Sequence, residues 1–158
     1  MILWKKIGLD RDDKGKKQVL TSSNSEQILY GWHCLDPNSR RVFITEGEID
    51  AMSLHQYGYP SLSVPFGAQN HQWVENEFER LQRFDEIFLC FDNDTAGQKA
   101  ALELVHRLGE HRCRIVTLPW KDANEALQNG MSRESVDECI QTAKVIGPEE
   151  LKNAGEFR

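Results

Sequence analysis

From residue 41 onward, short apolar runs alternate with stretches of helical spacing. Val42-Phe43-Ile44-Thr45, entered from Arg41, reads as a buried strand because no position in it is left for water. Ile49, Met52, Ser53 and Tyr57 follow at intervals of three and four, which predicts a helix closed by Gly58. Leu62-Ser63-Val64 forms a second strand between Pro60 and Pro65. Trp73, Glu77 and Leu81 recur every fourth residue and predict a helix over 73–81. Glu86 to Phe91 is continuously apolar in its middle and bounded by Asp85 and Asp92, the pattern of a strand covered on both faces. Ala96 to Leu108 is helical, with Arg107 in its last turn and Gly109 to end it. Arg114 to Leu118 gives a fourth strand, and two short helices, 122–128 and 133–143, are split by Gly130. Strands alternating with helices predict an α/β fold whose parallel sheet carries helices on both faces.

Before residue 41 the pattern dissolves. Lys5 to Lys17 mixes Lys, Arg, Asp and Gly without a usable period, and Thr21-Ser22-Ser23-Asn24-Ser25 is a linker composition. Residues 1–27 are therefore expected to be a tail or the remnant of an upstream region, 28–130 the folded domain, and 131–158 a C-terminal helix and tail. A P-loop at Gly15-Lys16 fails, because Gly8 is too far upstream and Lys17 stands where Ser or Thr is required. At 158 residues the chain has room for one ordinary domain.

Charge narrows the partners. Twenty-five acidic side chains outnumber 19 basic ones, for a formal net charge of −6 and a pI near 5.4. Gripping nucleic acid through phosphates alone calls for a basic surface. If the chain handles nucleic acid, a metal ion mediates the contact or another region supplies the positive surface. There is no apolar run of 18 residues, and the opening Met-Ile-Leu-Trp-Lys-Lys is too short for a secretory signal. The expectation is a cytoplasmic protein with no membrane partner. Cys34, Cys90, Cys113 and Cys139 lie too far apart for a zinc ribbon or a Cys-x-x-Cys pair, so free thiols are expected.

Ligands of parallel α/β folds bind beyond the carboxyl ends of the strands, and here three strands run into acids at that end. They are Glu46, Glu48 and Asp50 after the first strand, Asp92 and Asp94 after the third, and Asp122 with Glu125 after the fourth. Acids converging on one rim repel each other unless a cation joins them. Oxygen donors with no His or Cys nearby suit Mg²⁺ or Mn²⁺. Each acid also has a structural role open to it. Asp94 and Asp122 can cap the helices that follow, and Glu48 and Asp50 can be first-turn acids favoured by the helix dipole.

Glu46-Gly47-Glu48-Ile49-Asp50-Ala51, Phe91-Asp92-Asn93-Asp94-Thr95-Ala96-Gly97 and Lys121-Asp122-Ala123-Asn124-Glu125, in that order, resemble the TOPRIM family. That family is shared by bacterial primases, topoisomerases of types IA and II, small nucleases and recombination proteins. With Leu29-Tyr30-Gly31-Trp32-His33 ahead of the first strand, the chain is most similar to bifunctional phage primase-helicases and the mitochondrial replicative helicase. The resemblance covers roughly 28–130. It implies a Rossmann-like TOPRIM fold with a four-stranded parallel sheet; Glu46 and Asp92 can share an ion only if the first and third strands are neighbours, which gives the expected order 2-1-3-4. It also implies that Asp92, Asp94 and Asp122 bind Mg²⁺ or Mn²⁺, and that Glu46 is a ligand or general acid/base. Asp50 matches a further acidic position. Asn124 stands where bacterial primases often carry a second aspartate, which leaves a second metal short of ligands. Lys121 is placed to contact a triphosphate or to stand solvated beside an acid.

The function so implied is metal-dependent nucleotidyl transfer in DNA replication, by the TOPRIM domain of a phage or prophage primase-helicase. Its partners would be a single-stranded DNA template, nucleoside triphosphates, and upstream primase and downstream helicase regions of a longer chain. A stand-alone nuclease using the same acids is the alternative, as is a non-catalytic domain kept as a DNA-binding or structural part of a helicase. The acidic balance predicts that this chain alone does not synthesise primers. A haloacid-dehalogenase-type phosphatase is excluded by Ala96, where that motif wants threonine.

Overall fold

The computed structural model describes residues 5–15, 17–24, 26–67 and 70–147. Of the expected tails, residues 1–4 and 148–158 lie outside the described residues. The strands and helices appear in the order expected from residue 41 on: β3 (Arg41–Thr45), α1 (Glu48–Gln56), β4 (Ser61–Ser63), α2 (Trp73–Leu81), β5 (Glu86–Leu89), α3 (Thr95–Leu108), β6 (Cys113–Ile115), α4 (Ala123–Gln128) and α5 (Arg133–Gln141). They are preceded by an antiparallel hairpin, β1 (Lys5–Arg11) and β2 (Lys17–Thr21).

The main sheet is parallel throughout, in the order β4-β3-β5-β6. This is the 2-1-3-4 order, and it makes β3 and β5 neighbours. Alternate side chains feed two cores. Val42, Ile44, Ile87, Leu89, Cys113 and Ile115 pack with α2 and α3 on one face. Phe43, Phe88, Cys90 and Val116 pack with α1, α4 and α5 on the other. Trp73, Glu77 and Leu81 are fully buried on α2, as their four-residue spacing predicts. The paired strands are shorter than the apolar runs, because pairing stops while the chain continues extended. Val64, Cys90 and Val116 still donate N–H bonds across to Thr45, Ile44 and Leu89.

Two features differ from the pattern read in the sequence. Within residues 1–27, where no period is visible, β1 and β2 pair as a hairpin. Neighbouring Val19 and Leu20 on β2 are both exposed, so that strand shows no alternation of buried and exposed positions there. On α1 the apolar spacing is met only in part. Ile49 and Met52 are 43% and 47% exposed, while Ala51, Leu54 and Tyr57 turn inward. Ser53 is buried because its hydroxyl donates back to Ile49 O at 2.9 Å, which satisfies it inside the helix.

Both edges of the sheet are covered by single bridges. Tyr30 and Ser63 exchange N–H bonds of 2.9 and 3.0 Å at the β4 edge, and Ile115 and Lys144 exchange bonds of 2.9 and 2.8 Å at the β6 edge. Gly31 (φ 106°) makes the first possible, because a Cβ there would lie 2.9 Å from Ser61 O. The helical layer over α1 is pinned by Tyr59, whose hydroxyl donates to Asp137 Oδ1 of α5 at 2.7 Å while its ring packs 5.0 Å from Phe43. Tyr59→Phe is expected to cost about 1 kcal/mol, seen as a lower urea midpoint with an unchanged slope. An unshifted midpoint would show that this bond contributes nothing.

Candidate functional site

The carboxyl-terminal rim of β3, β5 and β6 carries the acids, each delivered by a strand end that leads into a helix. Glu46 leaves β3 next to Gly47, the N-cap position of α1. Its Oε1 accepts a 3.3 Å bond from the main-chain N–H of Asp92, directly across on the β5 side. Asp94 caps α3 by accepting from Gly97 N at 2.8 Å, and Asp122 caps α4 by accepting from Glu125 N at 2.7 Å. Asp50, one turn into α1, reaches the α4 side, where its Oδ1 accepts from Asn124 N at 3.0 Å. The capping roles open to Asp94 and Asp122 are thus filled by one oxygen each.

Lys121 joins the β5 and β6 sides, with Nζ 2.8 Å from Asp92 Oδ2 and 3.5 Å from Asp122 Oδ2. The Asn124 amide does not join them; its Oδ1 accepts from Gln128 along α4, and its main-chain N–H serves Asp50. Among the described residues, no three His, Cys, Asp or Glu side chains already stand as a group that could hold a metal ion.

Electrostatics show how closely the carboxylates feel one another. Burial, then the charge of Asp92, pushes Glu46 from 4.5 up to about 7, against the pull of the Asp92 N–H; Asp94 adds to the rise. Burial raises Asp50 from 3.8 to about 6 despite the Asn124 N–H, with Asp122 and Asp92 adding to it. Oxygen donors in mutual repulsion are what a hard divalent cation relieves, so these residues fit such an ion. Gly97 leaves the space for Glu46: a Cβ there would overlap Asp92 O and lie 2.6 Å from Glu46 Oε1.

Both acids are raised, so their protonated forms favour the folded state. Their contribution is present below the unfolded pKa and lost as pH rises through the folded one. Without divalent cations, stability is expected to fall from about pH 3.8, where Asp50 ordinarily titrates, to about pH 7, where folded Glu46 does. For half-exposed Glu46 we expect the loss to be about 1 kcal/mol once solvent screening is allowed for. Glu46→Gln should flatten that part of the slope, read from denaturant midpoints at pH 5 and pH 8 in a chelator. A variant as pH-sensitive as wild type would remove Glu46 from the cause.

Three features escaped the sequence. Glu48 is drawn away from the rim by Lys5, whose Nζ lies 2.6 Å from its Oε1 and also donates to Pro65 O, fastening the hairpin to α1. Asn93, between the two aspartates, clamps the next loop by donating from N to Lys121 O at 2.7 Å and from Nδ2 to Leu118 O at 3.3 Å. Lys121 stands beside not one acid but two, from different strand ends. The first two signals are long-range; for Lys121, its place beside Asp122 was the only local hint.

Residues 43–127 match the family model described as Toprim-like. The chain is 37% identical over 117 residues to a DNA helicase/primase of Enterobacteria phage T3, covering 72% of this chain and 20% of that protein. It is 30% identical over 136 residues to the chloroplastic/mitochondrial Twinkle homolog of Arabidopsis thaliana, covering 72% and 19%. The chain thus spans about a fifth of the length of these curated relatives. Among solved structures it superposes with TM-score 0.73 and 31% identity on one chain of an assembly in which the bacteriophage T7 lagging-strand DNA polymerase interacts with the primase domains of two gp4 subunits bound to an RNA/DNA hybrid and dTTP. That match covers 86% of this chain and 70% of the other. No helix of the described residues is long and apolar enough to cross a membrane.

Proposed function

The chain belongs to the Toprim-like family, and from that premise we propose that it is the metal-dependent nucleotidyl-transfer module of a DNA primase of the kind joined to a helicase. The observation that carries this is the adjacency of β3 and β5, which sets the Glu46 carboxylate against the Asp92 main chain at 3.3 Å. Asp94 and Asp122 cap helices on the same rim. The relatives named as helicase/primase and Twinkle homolog support this reading. The partners would be nucleoside triphosphates and a single-stranded DNA template.

Asp92, Asp94 and Asp122 would hold Mg²⁺ or Mn²⁺, with Asp50 behind them. Bound there, the ion would neutralise triphosphate charge and polarise the attacking hydroxyl. Glu46 is the group to take that hydroxyl's proton, since its pKa near 7 lets it exchange a proton near neutrality. The strand ends keep these groups fixed before substrate arrives, which phosphoryl transfer requires. Template grip falls to basic surface elsewhere, because this chain carries a net charge of −6.

Titration calorimetry with Mg²⁺ tests the site. Wild type should bind weakly, because substrate phosphates complete the coordination. Asp92→Asn and Asp94→Asn should each weaken binding by at least about tenfold. Equal binding by all three proteins would rule these residues out as ligands. Supercoiled DNA incubated with the chain and Mg²⁺ should stay intact; metal-dependent cleavage would favour a nuclease.

A further inference from the structure

We infer that Lys121 is the site's own cation, occupying the space between Asp92 and Asp122 until a divalent ion exchanges with it. The inference rests on the reading of these carboxylates as metal-binding. The Lys121 ammonium lies 2.8 Å from Asp92 Oδ2 and 3.5 Å from Asp122 Oδ2, joining acids from two different strand ends. Asp92 is thereby drawn toward β6, and its remaining polar contacts are made by its main chain, to Glu46 and to Gln98.

The lysine is fixed at its root and free along its stem. Its main-chain N–H donates to Glu125 Oε2 at 2.8 Å and its carbonyl accepts from Asn93 N at 2.7 Å. Its side chain is 58% exposed, against 20% and 21% for its two partners. A small hard divalent ion cannot share those oxygens with an ammonium, since the two positive charges would stand within a few ångströms of each other. Metal entry must therefore turn the stem outward. The displaced ammonium stays tethered beside the rim, where an anionic phosphate is its natural next partner. Two opposed effects follow: Lys121 steadies the ion-free carboxylates, and it weakens divalent binding.

Protein labelled with ¹⁵N-lysine, titrated with Mg²⁺, tests the exchange, with Lys121→Arg assigning the signal. The Lys121 ammonium resonance should move as Mg²⁺ binds and saturate at the midpoint found by calorimetry. Lys121→Met should bind Mg²⁺ about two- to fivefold more tightly, the range expected for removing an exposed ion pair that competes. It should also melt lower than wild type in a chelator, with the gap closing at saturating Mg²⁺. Lys121→Arg, which keeps the charge, should not gain affinity. Mg²⁺ binding with the Lys121 resonance unmoved, or a Lys121→Met protein that binds no more tightly, would overturn the exchange. No Mg²⁺ binding by either wild type or Lys121→Met would instead bring down the metal reading beneath it.

Discussion

Gly97→Ala is expected to destabilise the domain by about 1–3 kcal/mol, the cost of forcing a methyl into a packed site. Helix propensity alone argues the opposite sign, since alanine is better than glycine inside a helix by about 1 kcal/mol. Gly97 sits in the first turn of α3, and its φ is not among the positive ones, so backbone strain is not the issue. The space is. The new Cβ would overlap the carbonyl oxygen of Asp92 and stand 2.6 Å from Glu46 Oε1. The carboxylate can swing away, but the carbonyl belongs to a chain that has just left β5 and has little freedom. α3 must tilt, and Asp94 then loses its short bond to Gly97 N. Denaturant unfolding of the two proteins decides the sign, and a stabilised variant would mean the strand end yields easily.

In a longer chain that makes primers, Asp92→Asn is expected to reduce template-directed synthesis by at least about a hundredfold. Mutating outer groups that merely orient metal ligands typically costs 10- to 100-fold, and a ligand itself should cost no less. Asparagine keeps the shape and the main-chain bond to Glu46 but removes the charge that Lys121, and by our reading a metal, depends on. The assay uses labelled ribonucleotides, Mg²⁺ or Mn²⁺, and a single-stranded template. Activity within a few fold of wild type would end the catalytic assignment. The present chain alone should make no primers, given its acidic surface. Metal-dependent oligoribonucleotides from wild type but not from Asp92→Asn/Asp94→Asn would show it to be a complete catalyst.

The strand order was legible because it follows from chemistry as well as pattern: Glu46 and Asp92 can act together only if β3 and β5 are neighbours. The runs Val42–Thr45 and Glu86–Phe91 carry no charge between their ends, so strands buried on both faces were the natural reading. The hairpin was not legible, since with Val19 and Leu20 both exposed its second strand carries no alternation. It is held by Lys5, whose partners Glu48 and Pro65 lie far along the chain. On α1, Ile49 and Met52 misled because hydrophobicity marks what can be buried, and the sheet offered that helix another face. At the rim, residue types showed which groups carry charge, whereas which oxygen each helix cap uses and where Lys121 points depend on three loops folding together.

The two single bridges that cover the sheet edges bear on how such a domain lives inside larger proteins. An open edge strand is a template for any passing extended segment, and a domain carried on a long polypeptide meets many. Here Tyr30 and Lys144 each take the hydrogen-bonding groups of one residue on an edge strand, Ser63 and Ile115, which blunts that edge at one position. The acidic rim at the carboxyl ends of β3, β5 and β6 is left clear of both bridges.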